Sequence, residues 1–187
     1  MPSKLKFVTI GYIEWRKGQD LLVEAVSQLS KELSDQVEFI FIGQNTSLMA
    51  QGLSEKVAIL ENVSMIGTVS REEVHELLEN SDMLICPSRE DPMPTVCAEA
   101  MMHRVPCLLS DVTGTAAYIE DGYDGLVFES ENVSDLMDKI IWAINHRDEL
   151  KEMGERAYEI YEKAFSGEAF EKNLLKHVEE MIGKARG

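Results

Sequence analysis

A chain of 187 residues, 44% of them hydrophobic, has the size of one domain with a single substantial core and no room for a second full domain. Its 34 Asp and Glu against 18 Lys and Arg leave a net charge of −16, which argues against nucleic-acid binding, because affinity for a phosphate backbone needs clustered cations. There is no apolar run of the ~18 residues that a membrane span requires, and the start MPSKLKFVTIGY is neither a signal nor a transit peptide, so the domain is expected to be cytoplasmic.

Short apolar runs alternate with helical patterns along most of the chain. The predicted strands are KFVTIG (6–11), VEFIFIG (37–43), VSMIG (63–67), MLICP (83–87), VPCLLS (105–110) and GLVF (125–128), most of them bounded by Gly, Pro or Ser. The predicted helices between them are Gln19 to Leu33, Ser47 to Glu55, Arg71 to Asn80, Thr95 to His103 and Thr115 to Asp121. Such alternation predicts βαβ units: a parallel sheet of about six strands with helices on both faces. Ser70 and Glu73 form a capping box that starts the third helix. After Phe128 the strands stop. Val133 to His146, Asp148 to Ala164 and Glu168 to Ile182 read as three successive helices, with Asn132 or Ser134 as starts and Ser166-Gly167 as a break. No linker, low-complexity tract or internal repeat interrupts residues 1–187.

Arg16 and Lys17 are the only adjacent Lys/Arg pair in the chain. They follow the first strand, where loops of open α/β sheets face a ligand crevice, and either serve an anion there or stay solvated before a helix. Trp15 beside them could cover a base or sugar, or pack on another part of the protein. The dinucleotide pattern G-x-G-x-x-G does not follow the first strand and G-x-x-x-x-G-K-[ST] occurs nowhere, which removes dehydrogenase and kinase readings. His75, His103, His146 and His177 show no ligand spacing, and there is no D-x-D triplet, so no metal is expected. Cys86, Cys97 and Cys107 lie in apolar surroundings and read as reduced core thiols. Met101, Met102, Met137 and Met153, with Trp142, Tyr158, Tyr161 and Phe165, fall at helical spacings that suit a core.

The stretch PSREDPMPTVCAEAMMHRVP (87–106) carries the chemistry. It leaves a strand, passes two prolines that fit only a loop or a first helical turn, and enters the helix TVCAEAMM. Free N–H groups at such a helix start attract anions, with phosphate the natural guest. Glu99 is the only charge in that apolar helix and needs a partner if it is buried. A ligand hydroxyl, an Arg or solvent would each satisfy it. Asp91 is either part of a site or an N-cap before Pro92.

This segment resembles the signature PS..EGFGL..LEAMA.G.P of retaining family 4 glycosyltransferases of the GT-B fold, the glycosyl transferases group 1. Its two Glu positions fall on Asp91 and Glu99. Pro92, Met93 and Pro94 replace the family's Gly-Phe-Gly, and Arg104 replaces its last Gly. The similarity extends over nearly the whole chain. VTIGYIEWRKGQDLLVEAV (8–26) is similar to the opening GR...KG...L..A, with Gly11, Lys17 and Gly18 matched and Tyr12 in place of a phosphate-binding Arg. VEFIFIGQ, NVSMIGTVSREEVHELLENSDMLICPS and IEDGYDGLVFE match further blocks in order, with Ala117 where the family commonly has Glu.

The resemblance implies a Rossmann-like, donor-binding C-terminal half, whose last helices (133–182) cross onto an N-terminal acceptor-binding domain that this sequence lacks. It implies transfer of a sugar, with retention, from a nucleoside-diphosphate-sugar to a glycan or lipid-linked glycan. On its own this half is expected to bind donor without transferring sugar, and any peripheral membrane contact would come through the missing half. The sugar nucleotide is substrate, and no cofactor or metal is implied. By the same resemblance Lys17, helped by Arg16 and the N–H groups of Thr95 and Val96, takes the leaving diphosphate. Glu99 takes the ribose, and Asp91 the donor sugar with Glu90 as a substitute. Gly11 and Met93 lie in the donor-binding stretches, and Gly67, Thr68 and Val69 offer backbone to the base. Two other readings remain open: an epimerase or phosphorylase of the same fold, and a non-catalytic nucleotide-binding or interaction module derived from a glycosyltransferase.

Overall fold

The computed structural model describes residues 3–44, 46–169, 171, 172 and 175. Six strands, β1 (Leu5–Ile10), β2 (Val37–Ile42), β3 (Val63–Ile66), β4 (Met83–Cys86), β5 (Cys107–Ser110) and β6 (Leu126–Phe128), form one sheet in the order β3-β2-β1-β4-β5-β6. Every pairing is parallel. The helices are α1 (Gln19–Ser27), α2 (Lys31–Ser34), α3 (Leu48–Val57), α4 (Arg71–Glu79), α5 (Thr95–Met102), α6 (Val133–Asn145) and α7 (Leu150–Ile160). The inner strands are apolar at successive positions because both faces of a parallel sheet are covered. Phe7, Ile85 and Leu108 point into a core shared with α1, α3 and α6. Val8, Leu84, Cys107 and Leu109 point into a second core under α4, α5 and α7. The three thiols are free and buried; the hydrogen bond with Cys97, then burial, pushes Cys86 up, and burial pushes Cys97 up.

The structure departs from the sequence reading in places where local hydrogen bonding overrides periodicity. The helix expected over Gln19 to Leu33 is two helices, because α1 stops at Ser27 and the Ser30 hydroxyl caps a new turn by accepting from Leu33 N–H. Residues Gly114–Tyr118 form a 3-10 turn, not a helix to Asp121, held by bonds such as Ala116 N–H to Thr113 O at 3.0 Å. β5 begins two residues late, since Val105 N–H is used to close α5 and Pro106 has no N–H. α7 runs on into a π-helical turn, Tyr161–Phe165. The helix expected over Glu168 to Ile182 lies largely outside the described residues, as does His177. Of the two starts that the sequence offers for α6, Asn132 is the cap, accepting from Asp135 N–H at 3.0 Å. The capping box of α4 is complete.

The end of α5 explains one departure from the family pattern. Arg104 N–H bonds to Met101 O and Val105 N–H to Ala100 O, both at 3.0 Å, which is a Schellman closure with Arg104 in the left-handed position that glycine usually takes. Its φ is +59°. The guanidinium stacks 4.0 Å from the Tyr158 ring centroid and bonds Glu155 at 2.9 Å. Gly154 permits the approach of α7, since a Cβ there would lie 2.0 Å from Arg104 O.

The strand order reverses between β1 and β4, so the loops leaving these two strands part and open a crevice at their carboxyl ends.

Candidate functional site

The loop after β1 ends in a 3-10 turn, Trp15–Lys17, closed by Gly18 at φ +70°. Any side chain at Gly18 would collide with the β4 loop, because its Cβ would sit 1.9 Å from Pro87 O. Two more bonds hold the loops together: Arg89 N–H and Glu90 N–H donate to Arg16 O at 2.8 and 3.3 Å. This lamination brings Lys17 Nζ to 2.6 Å from Asp91 Oδ2, with the two side chains 19% and 8% exposed. Asp91 is fixed from behind by a bridge to Thr113 and by Gly114 N–H bonding to its carbonyl at 3.1 Å. It does not cap a helix; the N-cap of α5 is Pro94.

Pro94 offers no side-chain cap. Cys97 N–H bonds back to Pro94 O at 3.1 Å, while Thr95 and Val96 N–H donate to no described residue. Asp91 thus precedes an uncapped helix start by a few residues, and such a start has the donors to take an anion, although neither Lys17 nor Asp91 lines the hollows described next. One turn along, Glu99 is half-buried and makes no hydrogen bond or ion pair with the described residues. It lines an open cleft of about 650 Å³ with Thr95, Arg71, Tyr161 and Phe165. A smaller hollow of about 230 Å³ lies over the ends of β1, β2 and β3 and is lined by Gly11, Tyr12, Gln44 and Thr68. Val69 and Val74 line both, so the two hollows adjoin.

The other sequence-predicted residues are placed as follows. Gly67 leads out of β3 just before Thr68 and lines neither hollow. Arg16 is engaged by Glu14 at 3.0 Å and by Glu90 O at 3.3 Å. The Glu90 carboxylate is exposed and unpaired among the described residues. Met93 is half-exposed, its Sδ accepting from Thr115 Oγ1 at 3.6 Å. Tyr12 and Trp15 are exposed, and Ala117 is on the surface.

Three residues enter the site that the sequence reading missed. Arg89 is the first. Its Nη1 and Nη2 each reach Asp20 at 2.8 Å, Nη1 also reaches Trp15 O at 2.8 Å, Nε reaches Glu131 at 3.1 Å, and the guanidinium lies 5.0 Å from the Trp15 ring centroid. Burial works to raise the Asp20 carboxyl, but the Arg89 hydrogen bonds and charge outweigh it and hold Asp20 below its ordinary range. The bond to Asp20 in turn raises Arg89. This planar fork staples the Trp15–Lys17 turn to the β4 loop. The second is Gln19, buried at the start of α1, whose Nε2 donates to Tyr12 O at 2.9 Å and pins the loop after β1. The third, Arg71 at the start of α4, has no ion pair among the described residues and borders the cleft of Glu99. For Arg89 the only signal available was an Arg beside two acids in a chain short of cations.

A further hollow of about 420 Å³, bounded by Lys4, Lys31 and Asn62, lies at the amino ends of the strands. That end of a parallel sheet is not where open α/β folds bind ligands. Among the described residues no three His, Cys, Asp or Glu side chains converge as a metal site, and no helix is long and apolar enough to cross a membrane.

Comparison with known proteins gives a family match over residues 2–160, to the family described as glycosyl transferases group 1. An uncharacterized glycosyltransferase of Methanocaldococcus jannaschii is 28% identical over 172 residues, covering 92% of this chain and 47% of its own. The lipopolysaccharide glucosyltransferase WaaG of Escherichia coli is 29% identical over 144 residues, covering 71% of this chain and 38% of that protein. The chain therefore spans less than half the length of these relatives. Among solved structures, that of WaaG superposes with a TM-score of 0.76 at 24% identity, over 88% of this chain and 44% of its own. HepE of Anabaena in complex with UDP-glucose superposes with a TM-score of 0.81 at 18% identity, over 95% and 49%. The sheet and its flanking helices are thus the Rossmann-like α/β arrangement found in GT-B glycosyltransferase structures.

Proposed function

Because the chain belongs to the glycosyl transferases group 1 family, we propose that its crevice binds a nucleoside-diphosphate-sugar as the donor half of a retaining sugar transferase. The observation that carries this reading is Lys17 Nζ held 2.6 Å from Asp91, on the same loop that leads into the uncapped start of α5. As the bond from sugar to diphosphate breaks, negative charge grows on the leaving phosphate, and fixed donors aimed at it lower the barrier. Lys17 and the N–H groups of Thr95 and Val96 supply those donors. Glu99, unpaired among the described residues and facing the cleft, accepts hydrogen bonds from the ribose hydroxyls. Asp91 faces the donor sugar, with Glu90 next to it, and the base lies against the backbone of Gly67, Thr68 and Val69 near Gly11. The acceptor, a glycan or lipid-linked glycan, is held by a separate unit N-terminal to this domain, and without that unit the domain binds donor but does not transfer. HepE, which has this fold, was crystallised with UDP-glucose, in support of a nucleotide-sugar as ligand class.

Calorimetric titration with UDP, GDP, ADP and their sugar conjugates tests the reading. One base is expected to bind saturably. Lys17→Ala should weaken a diphosphate by about tenfold or more and the matching nucleoside hardly at all, while Glu99→Ala should weaken both. Equal loss for diphosphate and nucleoside in Lys17→Ala removes the phosphate role.

A second reading, a nucleotide-binding module that transfers nothing, is favoured by Pro94, which cannot donate to a sugar hydroxyl, and by Ala117, which offers no carboxylate. Turnover of labelled donor by a longer chain carrying the acceptor unit excludes it; tight binding without turnover supports it.

A further inference from the structure

We propose that Asp91 makes the site prefer the sugar-loaded donor over the bare nucleoside diphosphate left after transfer, by competing with that diphosphate for Lys17. This rests on the donor-site reading above and concerns which ligand the site holds.

Two features of the pair carry the inference. The first is asymmetry of anchoring. Asp91 is 92% buried, counting its 8% exposure, and is pinned by its own backbone to Thr113 and Gly114. Lys17 reaches it through a flexible four-carbon stem and has no other ionic partner among the described residues. The lysine is the member that moves. The second is the absence, among the described residues, of a substitute cation beside Asp91. Arg89 is committed to Asp20 and Glu131, Arg16 to Glu14, and Tyr12 carries no charge.

An anion entering the crevice therefore meets a neutral pair, and can use Lys17 only by drawing Nζ off its 2.6 Å contact. That leaves a buried carboxylate without its counter-charge, which is costly unless another donor replaces it. A sugar brings hydroxyl donors to that place. A bare terminal phosphate brings none, and it carries more negative charge than its sugar ester, so it is repelled as well as uncompensated. The ion pair thus disfavours the product relative to the substrate at the phosphate site.

The test is calorimetry on the 187-residue chain, using UDP with UDP-glucose, GDP with GDP-mannose and ADP with ADP-glucose, against wild type, Asp91→Asn and Asp91→Glu. Melting temperature is recorded for each variant to confirm folding. For the base that binds, Asp91→Asn is expected to tighten the bare diphosphate, on the order of tenfold, and to weaken the sugar conjugate, inverting the wild-type preference. Asp91→Glu keeps the charge and should keep the wild-type order. If folded Asp91→Asn weakens both ligands alike, or leaves the bare diphosphate unchanged while wild type binds it, the role of Asp91 is wrong and the donor site stands. If wild type binds none of the six ligands, the donor-site reading itself falls, and this inference with it.

Discussion

The two ends of α5 are built to opposite specifications. At its end, Arg104 and Val105 N–H close the last carbonyls, His103 Nε2 lies 2.7 Å from His75 Nδ1, and Arg104 is sandwiched between Tyr158 and Glu155. At its start there is a proline with no cap, two N–H groups with no described partner, and an ion pair on the loop leading in that does not satisfy them. A fold that needed only stability would cap both ends. Leaving the start open forgoes ~1 kcal/mol of capping and, on the donor-site proposal, keeps a place for an anion. The loops around that start must then be held by something other than the helix, and the Arg89 fork holds them.

The largest effect is expected at that fork. Arg89→Ala removes the bidentate bond to Asp20, the bond to Glu131 and the tie to the Trp15 carbonyl, and should cost about 2–3 kcal/mol. Thermal melting reads this directly, and nucleotide affinity should fall with it as Lys17 loses its register with Asp91. Arg89→Lys, which cannot fork, should recover only part. The pH dependence has a definite sign. Asp20 has a folded value lowered from its ordinary 3.8, so its contribution is present above that pH and is lost as pH falls through the folded value. The gap in stability between wild type and Arg89→Ala should therefore be constant near neutrality and shrink only below about pH 4. A gap that is the same at acid pH would mean that Arg89 acts through packing on Trp15 and not through Asp20.

Capping the open start is the sharper test of the comparison. Pro94→Ser places a hydroxyl where it can accept from the first-turn N–H groups, at a residue already in extended conformation, φ −67° and ψ 110°. It should raise stability by ~1 kcal/mol and weaken nucleotide binding at the same time, because the donors meant for phosphate are taken. Gain in melting temperature with undiminished affinity would show that the N–H groups do not face the ligand.

The sequence revealed these two ends unequally. The inner strands were visible as apolar runs, because strands of a parallel sheet buried on both faces need Val, Ile, Leu and Phe at successive positions, and the half-exposed edge strand β3 still shows Val63, Met65 and Ile66. Lys17, Asp91 and Glu99 stand out as candidates because they sit in spaced motifs. Arg89 does not, since its partners Asp20 and Glu131 lie 69 and 42 residues away and no local pattern couples them. The π turn at Tyr161–Phe165 was missed because one extra residue per turn hardly disturbs a helical pattern. Arg104 was noticed as a replaced glycine, but a substitution does not reveal that the left-handed conformation has been kept.

That conformation gives the smallest predicted effect and the last check on the closed end. Arg104→Gly relieves a non-glycine residue of a left-handed φ of +59°, worth about 1–2 kcal/mol. It also deletes the stack on Tyr158 and the exposed pair with Glu155, together about 1 kcal/mol, and adds the unfolded-state entropy of glycine. These oppose one another, so the net change should stay within about 0.5 kcal/mol, a melting shift of no more than ~2 °C for a domain of this size. Such a null result is informative, because it means the end of α5 is closed by its backbone bonds, with the arginine side chain only offsetting the strain it creates. A loss of about 2 kcal/mol or more would instead make the guanidinium the clasp between α5 and α7, and the closed end, like the open one, would then depend on a side chain that no helix rule requires.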